Sequence, residues 1–197
     1  MYLYLLLILI FSYLVYTHFL AWFLCTPTFA GKTVLVTGGS SGIGEQLAKR
    51  FIQLGASKVI IAARTVKELE RVRSECGQDK VYILQMDLSK PNECLKQIQN
   101  LSVDILVNNG GLSMREEFVN TDYKTCEYMM NTNCLSHIAL VKGILPDMIK
   151  RKSGHIVNIV SIAGLMGVPV RTMYCASKFA MDGFSKALRH EVAEHDI

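Results

Sequence analysis

Tyr174 and Lys178 stand four residues apart in the run Tyr174-Cys-Ala-Ser-Lys178. On a helix that spacing places both side chains on one face, with the ammonium close to the phenol. A free tyrosine titrates near about 10, too high to exchange protons readily at neutral pH. A neighbouring lysine and the positive end of a helix favour the phenolate and bring that value down. Such a tyrosine can give a proton to a carbonyl oxygen while hydride arrives at carbon, or take it back. Ser161, thirteen residues earlier, offers a hydroxyl to hold the same oxygen. Asn133 offers an amide that could position a water between Lys178 and solvent. Each has a bland reading when taken alone: a structural Tyr–Lys pair, a turn serine, a helix-distorting polar group. Only a fold that carries them to one crevice makes them a site.

The elements that would do so follow from hydrophobic pattern. Short β-rich apolar runs at 33–37, 58–62, 81–85, 105–107 and 155–160 alternate with helical patterns at 42–54, 65–76, 91–99 and 121–150, the last with Pro146 as a candidate break. A final helix is expected over 174–194. Near-continuous apolar strands imply burial on both faces, and strand–helix alternation implies parallel crossovers. The expected fold is a doubly wound α/β sheet. In it, Ser161 follows the fifth strand and Tyr174 opens the next helix.

The first strand runs into Gly38-Gly-Ser40-Ser41-Gly42-Ile43-Gly44 and then a helix. Glycines there let the backbone turn tightly, and the helix N-terminus offers free N–H groups to a pyrophosphate. The second strand ends at Arg64, twenty positions past Gly44, where an acid would hold the ribose of NAD. An arginine suits the 2′-phosphate of NADP(H) instead, so NADP(H) is favoured over NAD(H). Asp87, after the third strand, either accepts from an adenine amine or caps the helix that follows Ser89 and Pro91. Asn108-Asn109-Gly110-Gly111 makes a tight polar turn after the fourth strand, at the same carboxyl edge.

Composition bounds the rest. The chain has 197 residues, half of them apolar, and a net charge of +4. Basic and acidic residues are interspersed, which excludes a nucleic-acid patch. The six cysteines form no CxxC pair, so neither a metal site nor a disulfide framework is expected. From Tyr2 to Leu24 there is no charged residue. At about 1.5 Å per residue such a helix reaches about 35 Å, enough to cross a bilayer core. Tyr2, Tyr4, Trp22 and Phe23 lie near its ends, as interfacial aromatics do. Residues 1–25 are therefore expected to be a retained single-pass anchor, ended by Pro27 and Gly31. Lys32, Lys49 and Arg50 follow it and no basic side chain precedes it, which leans towards a cytosolic domain. The sequon Asn100-Leu101-Ser102 would matter only in a lumen.

The motifs at 37–44 (TGGSSGIG), at 108–111 (NNGG), Asn133, Ser161 and Tyr174-Cys-Ala-Ser-Lys178 resemble the single-domain short-chain dehydrogenase/reductase family over 31–197. The anchor, ELERV at 68–72, DILVNNGG at 104–111 and YCASK most resemble its dehydrogenase/reductase member 7 group. The resemblance implies a Rossmann-type sheet and an oxidoreductase. It implies a cofactor site of Gly38, Ser40, Ser41, Gly42, Ile43, Gly44, Arg64, Asp87, Leu88, Asn109 and Gly110, with Tyr174 and Lys178 on the nicotinamide ribose. Asn133, Ser161, Tyr174 and Lys178 become a proton-relay tetrad. It further implies an endoplasmic-reticulum membrane protein acting on steroid, retinoid or similar apolar carbonyls and alcohols, and a homodimer built on helices 121–150 and 174–194. Gly110, Ser136 and Val160 replace the family's usual Ala, Gly and Ser. The family's sixth and seventh strands, Pro-Gly turn and substrate lid would follow Ile197. A chain without them is expected to be a fragment or a short isoform, and an alternative to catalysis is a membrane-tethered, catalytically incompetent nucleotide-binding or interaction protein.

Overall fold

The computed structural model describes residues 2–24 and 28–197. Met1 and residues 25–27, with the anchor's outer limits, Cys25 and Pro27 as its stop, lie outside the described residues. So do the side chains of Tyr2, Trp22 and Phe23. The first helix, α1 (Tyr2–Leu24), has no acidic residue in its first turn and no basic one in its last. Ile8, Leu9, Ile10 and Phe11 point about 100° apart on a helix, yet each is at least 48% exposed. Among the residues whose side chains are described, no helix is long and apolar enough to cross a membrane. The expected anchor therefore rests on the sequence of α1 alone.

The remainder is one five-stranded parallel sheet in the order β3-β2-β1-β4-β5. Its strands are β1 (Thr33–Thr37), β2 (Lys58–Ala63), β3 (Val81–Gln85), β4 (Ile105–Asn108) and β5 (His155–Asn158). The crossovers are α2 (Gly42–Gln53), α3 (Val66–Cys76), α4 (Pro91–Ile98), α5 (Tyr123–Met130) and α6 (Ser136–Arg151), and α7 (Thr172–Val192) closes the order. Alternation along the strands divides the core. Leu35, Ile60 and Leu106 face Leu140, Ile144 and Met148 of α6. Val34, Val36, Ile61 and Val107 face Ala48, Leu69 and Val72 of α2 and α3. Burying each such side chain contributes about 1.5–3 kcal/mol, so helices must cover both faces. The strand order reverses between β1 and β4, which opens a crevice at their carboxyl ends.

Three differences from the pattern-based expectation bear on the site. The helix expected over 121–150 is not broken at Pro146, which sits inside an uninterrupted α6. Its irregularity is a π turn at Asn131–Leu135. There Asn133 Nδ2 donates to the Leu112 carbonyl and Asn133 Oδ1 accepts from the Leu112 N–H, both at 2.9 Å. The Ser136 hydroxyl donates to the Thr132 carbonyl at 3.0 Å, satisfying an acceptor in that turn. β5 stops at Asn158 instead of 160. The Ile159 N–H still reaches the Asn108 carbonyl at 2.9 Å, but the Ile159 carbonyl turns to Lys178. α7 starts at Thr172, which makes Tyr174 its third residue.

Candidate active site

The turn after β1 is built on conformations only glycine takes cheaply. Gly38 and Gly42 have φ of +65° and +56°. A Cβ on Gly38 would lie 2.8 Å from the Gly110 Cα, and one on Gly44 would collide with the Gly38 carbonyl oxygen. Buried Thr37 stitches this turn to the one after β4. Its Oγ1 accepts from the N–H groups of Asn109 at 3.0 Å and Gly110 at 2.9 Å, while Asn109 Nδ2 donates to the Thr37 carbonyl at 2.9 Å. Ser41, the N-cap of α2, makes no side-chain bond to the helix, so the first N–H groups remain for a ligand. Glu45 in that first turn would oppose an anion. Arg71 Nη2 at 2.8 Å and Lys49 Nζ at 2.6 Å neutralise it, holding its carboxyl down at about 2. Arg71 Nη2 also donates to the Ser40 carbonyl at 3.2 Å, bracing the turn from α3.

A cleft of about 380 Å³ opens over this loop. Of the residues expected to bind a cofactor, Gly38, Ser40, Ser41, Ile43, Arg64, Asp87, Leu88, Asn109 and Gly110 line it. Gly42 and Gly44 shape the turn without lining the cleft. Arg64 is exposed, and its Nη1 donates to the Tyr128 hydroxyl at 2.8 Å. Asp87 Oδ1 accepts from the N–H and the hydroxyl of Ser89, both at 2.9 Å, so it closes the turn that leads into α4. Burial raises its pKa, but the Ser89 bonds and the charges of Arg64 and Lys90 outweigh that and leave it below the usual value. Asp87 also lines the cleft, as the adenine reading requires; the capping reading is corrected, because the N-cap of α4 is Lys90 and no side chain caps that helix.

Tyr174 and Lys178 line a recess of about 250 Å³ that shares Ile43, Asn109, Gly111 and Leu112 with the cleft. Lys178 is 6% exposed, its Nζ donates to the Ile159 carbonyl at 2.9 Å, and it lies 5.9 Å from the Tyr174 ring centre. Burial depresses its pKa, opposed weakly by the nearby Cys134 thiol. Arg171 lies 5.8 Å from the same ring, and its Nη1 donates to the Ser113 hydroxyl at 2.9 Å. Asn133 is fully buried and donates to the Ser177 hydroxyl at 3.1 Å besides its two bonds to Leu112. Its amide is therefore occupied in orienting the turn beside Lys178. Ser161 caps a short 3₁₀ turn (Ile162–Gly164), accepting from the Ala163 N–H at 3.1 Å, and its own proton is left to donate. It adjoins Val160, which lines the recess, but is not itself among the lining residues. His137, behind Lys178, is held near 3 by burial and the lysine's charge, so it is neutral.

Several contributors escape sequence reasoning. Thr37 was legible as the end of a strand but not as a clamp. Glu45 and Arg71 are 26 positions apart, and no local period links them. Tyr128 is one more aromatic in a helical run. The five described cysteines are free, and no metal-binding group occurs among the described residues.

A parallel sheet of this order, with a glycine turn at the switch point and a Tyr–Lys pair opening the helix beyond β5, defines a Rossmann-type nucleotide-binding domain. The profile described as short chain dehydrogenase matches residues 32–197. The chain belongs to the short-chain dehydrogenase/reductase family. A Drosophila melanogaster dehydrogenase/reductase SDR family protein 7-like is 42% identical over 178 residues, covering 85% of this chain and 54% of that protein. Human dehydrogenase/reductase SDR family member 7 is 40% identical over 173 residues, covering 82% and 51%. These relatives bear out the expected resemblance to the member 7 group. The chain spans about half the length of the curated relatives it matches. A metagenomic short-chain oxidoreductase solved with NADP superposes with a TM-score of 0.82 at 28% identity, covering 86% of this chain and 79% of that one. The closed form of serine dehydrogenase with NADP⁺ gives 0.75 at 35% identity, covering 81% and 66%.

Proposed function

We propose that the protein is an NADP(H)-dependent oxidoreductase that interconverts a carbonyl and an alcohol on an apolar substrate, with Tyr174 as the acid/base. The observation that carries this reading is the continuity of the nucleotide-sized cleft with the Tyr174–Lys178 recess through Ile43, Asn109, Gly111 and Leu112. The residues fit the cofactor. Two glycine positions, Gly38 and Gly44, leave no room for a Cβ against the crossing backbone, the α2 N-terminus suits a pyrophosphate, and exposed Arg64 suits a 2′-phosphate. When bound, the nicotinamide supplies or accepts hydride at the substrate carbon. Tyr174 exchanges the proton at the substrate oxygen, Lys178 keeps positive charge beside the phenol, and Ser161 donates to the same oxygen. Asn133 holds Leu112 and with it the wall of the recess. Exposed Ile162, Leu165 and Met166 beyond Ser161 support an apolar substrate. The exposed apolar α1 supports a single-pass membrane anchor, and the member 7 resemblance supports the endoplasmic reticulum and a homodimer.

The test is turnover of NADPH with a panel of lipid-like ketones by the full chain in detergent. Tyr174→Phe and Lys178→Ala should each lose at least about a hundredfold in kcat, with NADPH binding kept in Tyr174→Phe. Full turnover in both variants overturns the reading. That Ser161 is not among the residues lining the recess favours a second reading, nucleotide binding without catalysis. NADPH binding with no turnover across the panel selects it.

A further inference from the structure

Arg64 and Tyr128 reach the cleft from different elements, just after β2 and in the last turn of α5. Their hydrogen bond of 2.8 Å joins the two walls. In it the guanidinium donates and the phenol oxygen accepts, so the Tyr128 proton is left free to donate. Only Nη1 of Arg64 is engaged by a side chain; the other guanidinium N–H donors have no acidic partner among the described residues. Asp87 lines the same cleft and feels the arginine's charge, but the two form no ion pair. Gln85 Nε2 donates to the Arg64 carbonyl at 3.3 Å, which steadies the backbone there. The result is a guanidinium and a phenol proton held side by side, facing one opening, with no anion to satisfy them.

We propose that Tyr128 is a further specificity residue for the cofactor: with Arg64 it forms a two-donor seat for the ribose 2′-phosphate. The inference rests on the NADP(H) reading above and adds a residue to it. Arg64 supplies charge and a planar fork, which the bond to Tyr128 holds in place. The Tyr128 hydroxyl then donates to a phosphate oxygen that NADH lacks. Its ring lies along the cleft wall for either cofactor, so the hydroxyl and the ring make separable contributions.

The full chain in detergent is titrated with NADPH, NADH and 2′,5′-ADP, for the parent and for Tyr128→Phe, Arg64→Ala and the double variant. Tyr128→Phe keeps the ring and should weaken NADPH and 2′,5′-ADP by about five- to tenfold, the loss of one charge-assisted bond. NADH should stay within about twofold. In the Arg64→Ala background the Tyr128→Phe effect should shrink, since the two donors act as one seat. Tyr128→Phe that leaves the NADPH to NADH preference unchanged, or an undiminished effect without Arg64, overturns this inference alone. A parent that binds neither dinucleotide overturns it together with the cofactor reading.

Discussion

Replacing Gly44 with Ala adds one methyl where the turn after β1 crosses the turn after β4. That methyl collides with the Gly38 carbonyl oxygen and comes within 2.6 Å of Asn109 Nδ2. Neither neighbour can yield easily. Gly38 is held at φ +65°, and Asn109 is tied to the Thr37 carbonyl at 2.9 Å. Forced overpacking of this kind costs about 1–3 kcal/mol. Alanine regains at most about 1 kcal/mol over glycine in a helix. With that gain subtracted in full the net loss is up to about 2 kcal/mol, and at about 2–4 °C per kcal/mol for a domain of this size the Tm falls by up to about 8 °C. Because the loop itself must move, NADPH affinity should fall at least about tenfold. Gly110→Ala is the matched control. Its methyl meets chiefly Leu88 Cδ1, the tip of a side chain that can turn away, with the Gly38 nitrogen at 3.1 Å. It should cost under about 1 kcal/mol and no more than about threefold in affinity. Thermal scans by circular dichroism and fluorescence titration with NADPH read both quantities. Parental Tm and affinity in Gly44→Ala, or equal damage in Gly110→Ala, would refute the argument that crossing backbones set this turn.

Asn133→Ala should destabilise the fold by about 1–3 kcal/mol, because the part-buried Leu112 N–H and carbonyl lose their partners; denaturant unfolding measures this, and a change below about 0.5 kcal/mol would contradict it. Glu45 titrates near 2 in the folded protein against 4.5 unperturbed, because Arg71 and Lys49 hold it charged. Its contribution is therefore complete above pH 4.5 and is lost as pH falls towards 2. Glu45→Gln should be less stable than the parent at pH 7, with the gap closing under acid; a gap that stays constant between pH 7 and 3 counts against the pairing.

Much of this molecule could be read in advance, for a physical reason. β1, β2 and β4 are buried on both faces, so their sequences are runs of Val, Leu and Ile, and the glycine turn must follow β1 directly. Tyr174 and Lys178 are related by a helical period, which a sequence displays openly. What could not be read are relations across elements. The π turn at Asn131–Leu135 comes from a side chain of one segment satisfying the backbone of another, 21 positions away. Pro146 looked like the helix breaker, yet α6 continues through it, and the tertiary bonds of Asn133 decide where the distortion falls.

The same bonds explain why the site lies where the sheet ends. β5 stops pairing at Ile159, where a carbonyl freed from the ladder accepts from Lys178 Nζ. A lysine that is 6% exposed needs such an acceptor, since burial without one would favour the neutral amine. On the opposite side Asn133 draws Leu112 inwards and leaves Gly111 with its would-be Cβ 3.1 Å from Asn133 Oδ1 and 3.9 Å from Lys178 Nζ. Any side chain at 111 would therefore occupy the space between the lysine and the cleft. The early end of β5, the bulge before α6 and the bare backbone at Gly111 are three departures from regular structure. Each removes atoms from, or turns a polar group towards, the same small volume beside Tyr174, which is why regular sheet geometry ends there and the recess begins.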